Sequence, residues 1–421
     1  MQQPPEGGCF ASVVILFQPT PRRAPASNFC EGPAAPLLVM RAPLRRLWLK
    51  VHRWIGLTLG PILALTALLG AMLVVGLPLD RWAHPDFFIA HSARSTPAGD
   101  ATKAVLPLEA LRQRLAAEFG TDADFTLRPP RKPTDTLQVR VRGKWEGTLY
   151  LDPATGAEQG RRGTHEGAYN ILFELHSSLL LDDTGKGVLA FAALAYLFLL
   201  VTGIVLWWPV RWPPSLRIVL DRGLLRGLFD LHRTGGAVLG LLIAVSVATG
   251  AYMAWRPLGN FISSAMGQQP VKAPVIPKGT AAGPLLPLDE LVARAQQVYP
   301  GQPIGFIQVP AKAGRPMRVR LRLPDDPHPN GIGSVWLNPV TGEVLAARKW
   351  QDLDAGNGAV AVIYPLHTGE LGGPLHEAVT ALLGLALGSL GLSGVWLWWR
   401  RRAMASAARG DDTLSRGTTA P

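Results

Sequence analysis

The sequence predicts a membrane α-helical bundle: four transmembrane helices in two parallel repeats, each repeat carrying a small α+β domain outside the membrane. Three observations support this. Hydrophobic residues make up 48 % of the chain and charged residues only 17 %, against roughly 25 % charged in soluble domains. Four apolar runs are each long enough to cross a bilayer. The pattern at the first run, LKVHRWIGLTLG from Leu49, returns at the third as LHRTGGAVLG from Leu231.

The apolar runs cover about 54–77, 188–208, 234–255 and 378–399. Each has roughly 20 residues or more, which at ~1.5 Å per residue spans a ~30 Å hydrocarbon core. Arginine and lysine collect at their flanks: Arg41, Arg45, Arg46, Lys50 and Arg53 before the first; Arg211, Arg217, Arg222, Arg226 and Arg233 between the second and third; Arg400 to Arg402 after the fourth. The positive-inside rule makes these flanks cytoplasmic, together with both termini. The net charge of +12 is then a topology signal, not a nucleic-acid footprint. The long insertions, 80–170 and 257–365, then fall on the outer side, which is the periplasm in a cell with an outer membrane. They are bracketed by membrane segments 40–79, 171–210, 232–256 and 366–400, a cytoplasmic loop 211–231 and a cytoplasmic tail 401–421. Residues 1–39, rich in Pro, Gly and Ala, read as a disordered tail or an over-extended start ahead of Met40.

Each insertion has the same composition of elements. LPLEALRQRLAAEFG and LPLDELVARAQQVYPG have helical apolar spacing. LQVRVR and MRVRLRL alternate as half-buried strands do, and DPATG and NPVTG are turns between strands. The chain therefore reads as an internal duplication. Arg46, His52, Arg53, Gly56, Gly60 and Gly70 match Arg226, His232, Arg233, Gly236, Gly240 and Gly250, while His176, Gly203, Trp207 and Trp208 match His367, Gly394, Trp398 and Trp399. Two crossings per repeat relate the copies by an axis along the membrane normal.

Histidine is the chemistry the chain offers. The only cysteines, Cys9 and Cys30, lie in the N-terminal tail, so iron–sulfur clusters, Cys-based metal sites and covalent haem attachment have no ligands. A lone histidine at a helix end reads as an interfacial residue. Four histidines kept through a duplication that rewrote most other positions read as ligands. His52 and His232 lie at the cytoplasmic ends of spans one and three; His176 and His367 lie on the outer side. Partners from opposite faces would be roughly 30 Å apart, whereas the two axial nitrogens on one haem iron are only about 4 Å apart. The pairing is therefore His52 with His232 and His176 with His367, for two non-covalent b-type haems. His376 is the reserve for the outer site. Arg53 and Arg233, with Arg46 and Arg226 in reserve, are candidate partners for haem propionates. His84, His91, His165 and His328 have no duplicates and read as surface or loop residues. Arg140, Arg142, Lys144, Arg318, Arg320 and Arg322 read first as solvated strand faces, and otherwise as an attractor for an anionic ligand.

LHTGE at 366–370, the His-Arg pairs entering spans one and three, and the closing SGVWLWWRRR resemble the PepSY-associated transmembrane family over about residues 40–402. The two outer units are similar to PepSY domains. The first repeat departs from the motif, with LHSSLLLDDTG in place of LHTGE. The resemblance implies an iron-regulated protein of the bacterial inner membrane that relays electrons outward through two haems to a ferric siderophore or similar chelate, a haem-dependent reductase; it does not name the donor, quinol or cytoplasmic. No GxGxxG or Walker-type loop for a built-in nucleotide module is present. The alternatives are a membrane-anchored PepSY protein that binds or modulates a peptidase, and a transporter; the spans lack the mid-membrane charge that a transport path calls for.

Overall fold

The computed structural model describes residues 42–94, 107–209, 213–255, 257–269, 271–280, 282–311 and 314–417. The expected tail 1–39, and Arg41 and Arg211 among the topology arginines, lie outside these.

In chain order the helices are α1 (Ala42–Thr58), α2 (Gly60–Ala83), α3 (Pro85–Phe88), α4 (His91–Arg94), α5 (Leu108–Phe119), α6 (Ala168–Ser178), α7 (Asp182–Trp207), α8 (Leu224–Ala254), α9 (Pro257–Ala265), α10 (Leu288–Val298), α11 (Ala355–Thr368) and α12 (Gly373–Gly417). The strands are β1 (Asp124–Arg128), β2 (Leu137–Arg142), β3 (Gly147–Leu151), β4 (Glu158–Gly163), β5 (Ile304–Val309), β6 (Met317–Leu321), β7 (Gly333–Leu337) and β8 (Val344–Arg348).

Among the described residues, four helices are long and apolar enough to cross a membrane: α2, α7, α8 and the first part of α12. They pack in a ring in which α2 lies against α12, α12 against α8, α8 against α7 and α7 against α2. Leu63, Ala192, Tyr196, Ile243 and Ala244 form the centre, where the Tyr196 hydroxyl donates to the Gly240 carbonyl at 3.0 Å. The first apolar run begins inside a separate helix. Its ladder breaks at Leu59 because Pro61 stands in the first turn of α2 and has no N–H to donate. His52 therefore belongs to α1, and α1 packs on α7.

The strands of the two insertions are not two separate sheets. They form one antiparallel sheet in the order β4-β3-β2-β1-β5-β6-β7-β8. The junction is β1 with β5, registered Thr126 to Gln308. Each would otherwise be an edge strand with unpaired N–H and C=O groups, and pairing removes both edges at once. The alternation in LQVRVR and MRVRL sends Val139, Val141, Met317, Val319 and Leu321 to one face, buried under α5 and α10. The two helices cap one another. Asp289 accepts from the backbone N–H of Leu108 and Glu109 at 2.8 Å each, and Glu109 accepts from the Leu288 N–H at 2.9 Å. This reciprocity explains the matching LPLE and LPLD openings, since a carboxylate at a helix start satisfies otherwise orphaned donors. Asp152 and Asn338 hold the DPATG and NPVTG turns by accepting from the following backbone N–H groups. Gly156 and Gly342 close them at φ 70° and 71°, a region only glycine enters freely.

The opposite face of the sheet is polar. Arg162, Thr148, Arg140, Thr126, Gln308, Arg318 and Trp336 form one row across it. This face is turned to the end of the bundle. Arg162 donates to Asp80 of α2 at 2.7 Å with both side chains buried, and Tyr150 stacks on Phe87 of α3 at 5.1 Å.

Candidate functional site: two facing histidine pairs

The four histidines at matching sequence offsets form two pairs, one near each end of the bundle. The ring centres of His52 and His232 are 6.4 Å apart with their planes at 88°. Those of His176 and His367, at the sheet end, are 6.2 Å apart at 30°. Two imidazoles on opposite faces of one iron have ring centres about 6 Å apart, from metal–nitrogen bonds near 2 Å and a ring radius of roughly 1.1 Å.

Each ring is held by the same device. The His176 Nδ1 donates to the Thr66 carbonyl at 2.9 Å, that of His367 to the Ser246 carbonyl at 3.0 Å, and that of His232 to the Leu390 carbonyl at 3.0 Å. The His52 Nδ1 donates to the Thr202 hydroxyl at 2.7 Å, which passes its own proton to the Leu199 carbonyl at 3.0 Å. An imidazole that donates from Nδ1 keeps Nε2 deprotonated as an acceptor, the state a metal ligand needs. Among the described residues, Nε2 of none of the four has a hydrogen-bond partner.

The acceptor carbonyl stands four residues before a glycine in every case, one helical turn away. These glycines are Gly70, Gly203, Gly250 and Gly394. A Cβ at Gly70 would lie 2.7 Å from the His176 Cε1, at Gly250 2.9 Å from the His367 Cε1, at Gly394 3.3 Å from the His232 Cε1, and at Gly203 3.5 Å from the His52 Cε1. The first two contacts require glycine. Thr-Gly at 202–203 and 249–250 and Ser-Gly at 393–394 are the sequence signal for these partners; the first copy has Leu-Gly at 69–70.

Space adjoins the far pair. Gly56 and Gly60 follow His52 at four-residue steps, and a Cβ on either would meet nothing within 4 Å, although Gly60 is buried. At Gly236, one turn after His232, the nearest atom would be 4.0 Å away. A flat group fits such a cradle. A bare metal ion does not fit either site, since no group of three or more His, Cys, Asp or Glu side chains converges among the described residues. Two axial imidazoles suffice where a macrocycle supplies the other ligands.

The remaining candidates fall elsewhere. His376 is in the first turn of α12, where its Nδ1 accepts from the Gly372 N–H at 3.2 Å. His367 occupies the position facing His176. The backbone between them turns at Gly369, with φ 86°; after His176 the same left-handed turn is made by Leu179 and Leu180, at φ 54° and 58°. LHSSLL thus reproduces the turn of LHTGE at a steric cost. Arg46 and Arg53 are exposed on α1. Arg226 donates to Asp230 at 2.9 Å, and Arg233 to the Ser215 carbonyl at 3.2 Å.

One reading of the outer segment needs correction and another is sharpened. His328 lies in the loop between β6 and β7, one of the two places expected of it. It is half-buried and stacks on Tyr364 of α11 at 5.0 Å, and burial together with Arg320, Arg131, Arg128 and Arg318 pushes its pKa down to about 3. Of the basic strand residues, Arg140, Arg142 and Lys144 are exposed, but Arg318 and Arg320 are half-buried over Trp336 and Phe306 with no acid paired to either among the described residues. Burial penalises the charge of both guanidiniums, which stay protonated at neutral pH.

The fold and these sites define a helical membrane protein with two internal histidine pairs under an antiparallel sheet. The chain belongs to the family described as the PepSY-associated TM region, which matches residues 49–401. It is similar to the uncharacterized protein PA4219 of Pseudomonas aeruginosa, 27 % identical over 58 % of this chain; the match spans 66 % of that relative's length.

Proposed function

We propose that this protein is a di-haem electron carrier that passes electrons across the bacterial inner membrane to a ferric siderophore or similar chelate on the outer side. The observation that supports the reading is the matched pair of histidine sites: ring centres 6.4 and 6.2 Å apart, Nδ1 pinned and Nε2 open. His52 and His232 would hold the entry haem on the cytoplasmic side, and His176 and His367 the exit haem beneath two PepSY-like units that share one sheet. A bound b-type haem supplies one-electron chemistry. The protein's own part is to fix both rings in one tautomer and raise their basicity through the carbonyl acceptors. It also keeps these rings in apolar surroundings.

On the outer side, the bundle-facing arginines of the sheet would receive the chelate. Arg318 and Arg320 are half-buried and ion-paired with no carboxylate among the described residues, so an anionic ligand gains from neutralising them. The His328–Tyr364 stack joins this surface to α11, three residues before His367. Arg53 is the proposed propionate partner at the entry site, since Arg233 is tied to the Ser215 carbonyl.

The test is a reduced-minus-oxidised visible spectrum of the purified protein, followed by mixing the reduced form with ferric chelates. Two b-type haems per chain and rapid reoxidation by an anionic ferric chelate are expected. A protein without b-type absorption would leave the membrane-anchored regulatory reading standing instead.

A further inference from the structure

At the end of the bundle that carries His52 and His232, the loop before α8 folds back over that helix and lines an open pocket of about 260 Å³. Its walls are Ser215, Arg217, Val219, Asp221, Arg222, Arg226 and Arg233. The loop is held in place by specific bonds. Asp230 is fully buried in α8; its Oδ2 accepts from the Arg226 Nε at 2.9 Å and from the Val219 N–H at 3.3 Å. Arg233 ties the loop down again through the Ser215 carbonyl. What remains is an excess of positive charge. Arg217 and Arg222 are exposed and pair with no carboxylate among the described residues, and the buried Arg233 Nε has no hydrogen-bond partner. Four guanidiniums stand against the carboxylates of Asp221 and Asp230, leaving two positive charges.

We infer that this cavity is a binding site for a phosphate monoester, the terminal group of a small soluble molecule. Guanidinium forks match phosphate oxygens, and a monoester carries close to two negative charges at pH 7. That charge balances the lining, whereas the single charge of a membrane phosphodiester leaves it half compensated. Topology arginines alone need no pocket and no buried aspartate holding a loop in place. Arg233 follows His232 directly on α8, which puts the pocket at the same end of the bundle as that histidine pair. Under the proposed function it is the docking point of a phosphate-bearing electron donor; that consequence rests on the haem reading, while the phosphate site does not.

The experiment uses the full chain in phosphatidylcholine nanodiscs and a probe pair that differs only in its phosphate, flavin mononucleotide and riboflavin, with binding read by flavin fluorescence. Flavin mononucleotide should bind saturably and at least ~10-fold more tightly than riboflavin, with inorganic phosphate competing. Arg217→Ala and Arg222→Ala should each weaken it about tenfold, and the Lys variants less, with haem content unchanged in all four. Equal binding of the two flavins overturns the inference. So does loss of flavin mononucleotide binding when phosphatidylglycerol is added to the disc, which assigns the cavity to a lipid headgroup. A fall in haem content in the Arg217 and Arg222 variants assigns it to the haem carboxylates and overturns it as well. Binding that survives in a preparation lacking haem supports the site while counting against the electron-carrier reading.

Discussion

Gly70 of α2 lies so close to the His176 ring that a Cβ there would come within 2.7 Å of Cε1. The glycine is what allows the imidazole to reach the Thr66 carbonyl one turn earlier. The expectation is direct. Gly70→Ala and Gly250→Ala should each displace a ring of the sheet-end pair and remove about half of the bound haem. Gly203→Ala, with 3.5 Å of room, should retain both haems and gain up to about 1 kcal/mol of helix stability. Pyridine haemochrome content and thermal unfolding measure the two effects; equal haem loss in all three variants would contradict the assignment.

If each pair holds one haem, as proposed, loss within a pair should not add. His176→Ala and His367→Ala should each remove one haem of two, and the double variant no more than that one. His52→Ala with His176→Ala should remove both. Haem-to-protein ratios decide this; a single variant that loses everything would show that the two sites do not fill independently. His376→Ala should leave the ratio unchanged.

The Asp80–Arg162 pair, at 2.7 Å with side chains 7 % and 6 % exposed, fastens the sheet to α2. Arg162→Ala leaves the aspartate buried, with only the His84 Nδ1 at 3.1 Å beside it. Stranding one partner of a buried pair costs on the order of 3–5 kcal/mol. The expected result is a clear fall in the thermal midpoint and faster proteolysis of the sheet, with haem spectra altered less than by Gly70→Ala.

His328 makes the outer segment acid-sensitive. Its Nδ1 accepts from the Asn330 N–H at 3.1 Å, which requires the neutral ring, and Arg320, Arg131, Arg128 and Arg318 oppose a proton there. The unfolded ring takes up a proton near pH 6.5, while the folded ring resists until about pH 3. Between those values the unfolded state binds more protons, so stability falls as pH drops through this window. His328→Phe keeps the stack on Tyr364 and should flatten that part of the profile. Thermal midpoints of both proteins from pH 7 to pH 4 test it; parallel curves would exclude the mechanism.

Much of this was legible in the chain itself. Apolar runs of bilayer length and the LQVRVR and MRVRL alternations specify helices and strands because burial periodicity is a local property. The matching offsets that link His52 to His232 and His176 to His367 single out these histidines, since spacing is read directly from the chain. Short-range pattern does not say what lies across a gap. It cannot show that β1 and β5 join the two halves into one sheet, or that Arg318 and Arg320 turn toward the bundle and away from solvent. It also cannot show that Thr66, Leu199, Ser246 and Leu390 supply the oxygens that orient the four rings. Those are contacts between segments more than 100 residues apart for the histidines. Only packed helices bring such groups within hydrogen-bond reach, because direction and distance between side chains are fixed by the tertiary fold.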